Sequence, residues 1–146
     1  MSDERAYPAR PIVGVGTVIW KNGEVLLVKR GKAPGLGDWT IPGGAQELGE
    51  TMEETAHREA LEEAGCKVKN LKFLRVADEL LFDAQDQLEY HYTLIDFEAD
   101  WASGEPRPGE AETDAAFFDP ARLDELQMWE ETRKAIRQSL AGRTLR

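Results

Sequence analysis

The sequence predicts an α/β (α+β) domain with a mixed β-sheet, on three observations. Apolar, β-branched runs recur along the chain, a central helix carries signals at both of its ends, and a second helical pattern closes the sequence. The length of 146 residues is one domain's worth and buries a core without disulfides or a structural metal.

Residues 1–11 are polar, with Pro8 and Pro11, and are expected to form a flexible lead-in to a single domain over 12–142. Ile12 to Trp20 reads as a strand, and Asn22-Gly23 is a strong hairpin turn into a second strand, Val25 to Lys29. Gly31 to Asp38 is a loop, and Trp39 to Ile41 is a short apolar run stopped by Pro42-Gly43-Gly44. Thr51 to Ala64 is the clearest helix, with Thr51 and Glu54 as a capping box and Gly65 at the C′ position. Its apolar side is expected to hold Ala60, Leu61, Ala64 and His57. Val68 to Ala77 and Leu88 to Ala99 are further strands, the second with Leu88, Tyr90, Tyr92 and Leu94 at period two. Trp101 to Asp114 is expected as a long loop, Ala115 to Phe118 as a short strand. Leu126, Trp129, Ile136 and Leu140 then share one face of the closing helix.

Composition narrows the partners. The chain carries 28 acidic and 18 basic residues, a net charge of −10, which argues against a broad grip on nucleic acid. A small anionic substrate would need local positive charge, and a metal ion supplies it. Cys66 is the single cysteine, which fits a reducing, cytoplasmic setting. The first residues lack the apolar core of a signal peptide, and no apolar run approaches membrane-spanning length, so no membrane partner is expected.

The chemistry concentrates between Gly44 and Cys66. At 100° per residue, Glu62 and Glu63 flank Glu59 on one face of the helix. Three carboxylates that close repel one another when ionised, and a divalent cation removes the conflict. Hard oxygen donors suit Mg²⁺ or Mn²⁺. A solvated acidic helix face is the plain alternative.

The surroundings decide against that alternative. Gly44, Glu50, Arg58, Glu59, Glu62, Glu63 and Gly65 stand at the spacings of the Nudix box, and the segment resembles that family. Cys66 stands where a larger aliphatic residue is usual and reads as a core substitution. Trp39-Thr40-Ile41-Pro42-Gly43-Gly44 before the box and Phe117-Phe118-Asp119-Pro120 after it look like the family's flanks. The resemblance implies a Nudix-type α/β/α sandwich over essentially the whole chain, and a metal-dependent pyrophosphohydrolase. It implies Glu59, Glu62, Glu63 and the backbone carbonyl near Gly43 as metal ligands, with Mg²⁺ or Mn²⁺ as cofactor. Arg58 and Glu50 would brace the site, since a bidentate Arg–carboxylate pair fixes geometry better than a lysine. Water would attack one phosphorus of a diphosphate, with Glu59 or Glu63 as general base. Glu110 and Glu112, in the later loop, are further candidates beside the reading of solvated loop charges.

The expected substrate is a small nucleotide. Chain length and the Glu89-Tyr90-His91-Tyr92 strand resemble short bacterial ADP-ribose pyrophosphatases, so AMP and ribose 5-phosphate are the first-choice products. The proline of the ADP-ribose signature is absent from Val76 to Ala84, which keeps a nucleoside triphosphate pyrophosphohydrolase as the alternative. A Nudix module that senses a ligand without turnover is remote, because the box acids are all retained. Trp39, Tyr90, Tyr92 and Phe82 are candidates for base stacking, with strand packing as the plain reading of each. Lys29 and Arg30 could meet a phosphate. Homodimer formation is compatible with this picture.

Overall fold

The computed structural model describes residues 5–144, so the first four residues of the expected lead-in lie outside it. Asn22 and Gly23 take φ of 51° and 81° and turn β1 (Ile12–Lys21) into antiparallel β2 (Glu24–Arg30). Positive φ at both positions is what a two-residue hairpin turn requires. β3 (Trp39–Thr40) pairs with β2, and β4 (Gly43–Ala45) pairs antiparallel with β1. β5 (Lys67–Phe82) and β6 (Leu88–Ser103) form a long antiparallel hairpin, and β7 (Glu112–Phe118) pairs antiparallel with β2. β1 runs parallel to β6, giving a mixed sheet with the order β3-β2-β1-β6-β5.

The hairpin strands outrun their local signals. The sequence ends them at Ala77 and Ala99, whereas the ladder continues to Phe82 and Ser103. Cross-strand partners extend the pairing where alternation in either strand alone fades. β7 likewise begins at Glu112, which shortens the expected loop to residues 104–111.

Successive residues of β1 and β2 point to opposite faces, and both faces are covered. Val18, Trp20, Val25 and Leu27 pack with Leu123, from the 3-10 turn at Pro120–Glu125, and with Ile136 of α2 (Glu130–Thr144). Ile19, Leu26 and Val28 pack on the other side with Ala60 and Ala64 of α1 (Met52–Ala64) and with Cys66. This is the expected α/β/α sandwich. A buried relay fixes α2, in which Trp20 Nε1 donates to Ser139 Oγ (2.8 Å) and Ser139 donates to Glu98 Oε2 (2.7 Å).

Leu126 and Trp129 lie before α2 instead of within it. On α1, His57 and Leu61 are exposed, contrary to expectation, and the buried arc is Thr55, Ala56, Glu59, Ala60 and Ala64. Small residues let the helix approach the sheet closely and turn that arc, Glu59 included, toward β4. Ahead of β1, Tyr7 is tied to the β5–β6 hairpin, its N–H on the Glu89 carbonyl (2.6 Å) and its hydroxyl on Asp83 (2.7 Å).

Candidate active site

The helix that carries the acids is anchored at both ends. Thr51 Oγ1 accepts from the Glu54 N–H (3.1 Å) while Glu54 accepts from the Thr51 N–H (2.9 Å), and Gly65 closes the helix at φ 71°. Arg58 then ties the preceding loop to the helix. Its Nε and Nη2 reach the two oxygens of Glu50 at 2.6 and 3.0 Å, and Nη2 also donates to the Ala45 carbonyl at 3.1 Å. The hydrogen bonds from Arg58, joined by those from the Glu47 N–H and Thr55, hold the Glu50 carboxyl down at about 2. Nη1 of Arg58 reaches Glu59 (2.6 Å) and Glu62 (3.1 Å).

The glutamates of the helix do not share one environment. Glu59 is buried, and a Cβ at Gly44 would lie 2.6 Å from its carboxyl carbon, so glycine makes the space it occupies. Glu63 accepts from the Gly43 N–H at 2.8 Å. Burial pushes the Glu63 carboxyl up, the Gly43 bond opposes this, and the neighbouring Glu112 and Glu59 add to the rise. Glu112 lies within hydrogen-bonding reach of Glu63, and burial pushes it up as well, against Arg30 and Lys32. Glu62 is exposed and spends itself on Arg58.

Glu112 arrives there because the loop before β7 is strapped to the helix end. The Arg107 N–H donates to the Ala64 carbonyl (2.9 Å), and the Gly109 N–H to the backbone carbonyl of Glu63 (3.1 Å). A Cβ at Gly109 would collide with the Glu62 carbonyl, so only glycine allows this approach.

Glu59, Glu63 and Glu112 stand at the border of a cavity of about 540 Å³, which Trp39 and Tyr92 also line. Tyr90 is buried beside Tyr92, with rings near-parallel and 6.5 Å apart, and does not reach the cavity. Phe82 is exposed and away from it. Glu110 and Glu62 line an outer groove on the other side of the same acids. Of the two strand-end cations, Arg30 lines the cavity and Lys29 does not; its ammonium stands 5.9 Å from the Trp39 ring centre.

Sequence reasoning missed the cavity's floor and far wall. Gly14 and Gly16 of β1, Glu79 of β5, Asp96 of β6, and Trp129 and Glu131 all line it. Asp96 is 9% exposed, and burial pushes its carboxyl up to about 6 against the pull of Arg75. The available signals were two glycines inside a β-branched strand, which mark a close approach, and a lone acid among Leu94, Ile95 and Phe97.

Comparison with known proteins follows the same lines. Residues 10–139 match the NUDIX domain. The chain is 36% identical over 116 residues to the ADP-ribose pyrophosphatase of Methanocaldococcus jannaschii, covering 80% of this chain and 66% of that protein. It is 37% identical over 114 residues to the NAD-capped RNA hydrolase NudC of Chromobacterium violaceum, covering 76% of this chain and 39% of that protein. The chain thus spans about two thirds of one relative and well under half of the other. The crystal structure of a MutT NUDIX hydrolase from Burkholderia pseudomallei matches at TM-score 0.77 and 33% identity, over 88% of this chain and 98% of that one. With the sandwich, the capped helix and its braced acids in place, the chain belongs to the Nudix hydrolase family.

Proposed function

We propose that this hydrolase cleaves the diphosphate of ADP-ribose to AMP and ribose 5-phosphate, using Mg²⁺ or Mn²⁺. The observation that carries the reading is the meeting of Glu59, Glu63 and Glu112 at the border of a nucleotide-sized cavity. These acids offer hard oxygen donors only, and their crowded, desolvated charge is what a divalent cation relieves. Mg²⁺ keeps waters and recruits substrate phosphates, so it needs only a few protein oxygens.

Glu59, Glu63 and Glu112 would hold the cation, with Glu62 contributing from the outer groove and the Gly43 carbonyl as a backbone donor. When bound, the cation supplies Lewis-acid polarisation of the phosphoryl oxygens and neutralises the leaving phosphate. The chain's own residues do the rest. Arg58 and Glu50 keep the loop and helix in register, so the acids face the substrate with little freedom to lose. Glu63, with Glu112 within hydrogen-bonding reach, takes the proton of the attacking water. Arg30, in the cavity wall, meets the phosphates.

The ADP-ribose assignment is supported by the archaeal relative's name and by the NudC relative, since NAD and ADP-ribose share an adenosine diphosphate. Competing ADP-ribose against dGTP, CTP and oxidised dGTP should rank ADP-ribose first in kcat/KM, and ¹⁸O-water should label one of the two product phosphates. A clear triphosphate preference with pyrophosphate release would replace this reading with the triphosphate one and leave the family untouched.

A further inference from the structure

We propose that Asp96 is the specificity-determining residue of a base subsite in the cavity, where it accepts a hydrogen bond from the exocyclic amine of a purine. The choice of adenine as that purine rests on the ADP-ribose reading.

The subsite is built by two neighbouring strands. β6 sends Tyr92, Leu94 and Asp96 to the cavity at period two, and β1 places Gly14 and Gly16 beside Leu94 and Asp96. Glycine at both positions lets neighbouring side chains lean over β1, since a Cβ at Gly14 would lie 2.8 Å from Leu94 Cδ2. A Cβ at Gly16 would lie 3.2 Å from Asp96 Oδ1 and 2.9 Å from Ile41 Cδ1, so Leu94, Asp96 and Ile41 together form the cavity wall over β1. A flat ring packed on that wall from the cavity side meets apolar side chains with one carboxyl group among them.

Asp96 is more than nine-tenths buried, yet burial and the charge of Arg75 are the influences acting on it, with no hydrogen bond among them. Arg75 directs its Nη2 at Glu131 instead, at 2.8 Å. A desolvated carboxyl group without a donor is costly, and the cost is recovered when a ligand brings one. Of the other acids of that wall, Glu131 is paired with Arg75 and Lys134, and Glu79 has Arg30 as counter-charge and is less buried.

The sheet also sets the span between the base and the reacting phosphates. Gly16 pairs with Asp96 on one side and with Gly43 on the other, and Gly43 donates to Glu63. Asp96 and Gly43 thus stand two strand spacings apart, about 10 Å. A nucleotide whose diphosphate lies at the acids would reach Asp96 with its base. An amine edge satisfies an acceptor there, in whichever protonation state the carboxyl holds.

The test uses equilibrium binding, so that no turnover is needed. Wild-type protein is titrated with AMP against purine riboside 5′-monophosphate, which lacks the 6-amino group, and with GMP against IMP, which lacks the 2-amino group. Binding is followed through the Gly14 and Gly16 amide signals in NMR spectra. Removing the adenine amine should weaken binding about 10- to 100-fold. In Asp96→Ala the ratio should fall to within about twofold, and Asp96→Asn, which keeps one acceptor oxygen, should retain part of the discrimination. An Asp96-dependent effect confined to the guanine pair would uphold the subsite and overturn adenine, and the ADP-ribose reading with it. Equal binding within both pairs by wild-type protein would overturn the subsite, even with ADP-ribose confirmed as substrate.

Discussion

Glu63 experiences burial, a backbone N–H from Gly43 and the carboxyl of Glu112 at once. A change that removes its charge and keeps its shape separates chemistry from packing. Glu63→Gln retains an acceptor for the Gly43 N–H and relieves the like-charge contact with Glu112. Its melting temperature should therefore hold or rise while kcat falls by orders of magnitude. Near-normal turnover in that variant would remove Glu63 from the reaction. The acids of the helix were readable because side-chain spacing on a helix is regular. What spacing alone could not supply is their inequality. In sequence Glu62 and Glu63 flank Glu59 alike, but tertiary packing sends Glu63 to Gly43 and leaves Glu62 to solvent and Arg58. Glu112 was a candidate on chemistry, and its meeting with Glu63 depends on a loop docked through Arg107 and Gly109. Asp96 is brought to the cavity by pairing with β1, and its local trace is no more than an acid among Leu94, Ile95 and Phe97.

At the scale of elements, the loop and helix around the acids act as one braced unit. The Glu50 carboxyl is held at about 2 in the folded chain, against an ordinary 4.5, chiefly by Arg58. A depressed value means that the stabilisation is complete above the ordinary value and is lost as pH falls toward the folded one. Glu50→Gln should lower the melting temperature at pH 7, and the gap to wild type should close as pH drops from about 4.5 toward 2. Parallel thermal melts across that range check it, and a gap that stays constant would assign the effect to packing. Arg58→Lys should also lower activity, because one ammonium cannot span both Glu50 oxygens. Elements with local signals were the legible ones, among them the capping box, the Asn-Gly turn and the Gly65 stop. Strand ends were not, since β5 and β6 are extended by each other. The outward turn of His57 and Leu61 was equally hidden, because the buried arc of α1 is chosen by what it packs against.

The whole molecule carries a net charge of −10 and is proposed to take a polyanion against three of its own acids. Long-range repulsion must be offset where the two meet. Activity should vanish in EDTA and return with Mg²⁺ or Mn²⁺. Mg²⁺ alone should also raise the melting temperature, since a ligand that binds only the folded state stabilises it. Full turnover in chelator would refute the metal requirement. The sandwich was legible through the resemblance of the box and its flanks, whereas the parallel pairing of β1 with β6 needed the assembled sheet. That pairing imposes a timetable. Its partners are 80 residues apart, Ile12 with Tyr92 and Trp20 with Asp100, and no hairpin can bridge them. During synthesis β1 leaves the ribosome early, and one edge of its Val- and Ile-rich strand stays bare until β6 emerges. Closures of this range are slow, and waiting edges invite aggregation. The pace of translation between the two strands thus becomes part of what decides how much of this enzyme is recovered folded.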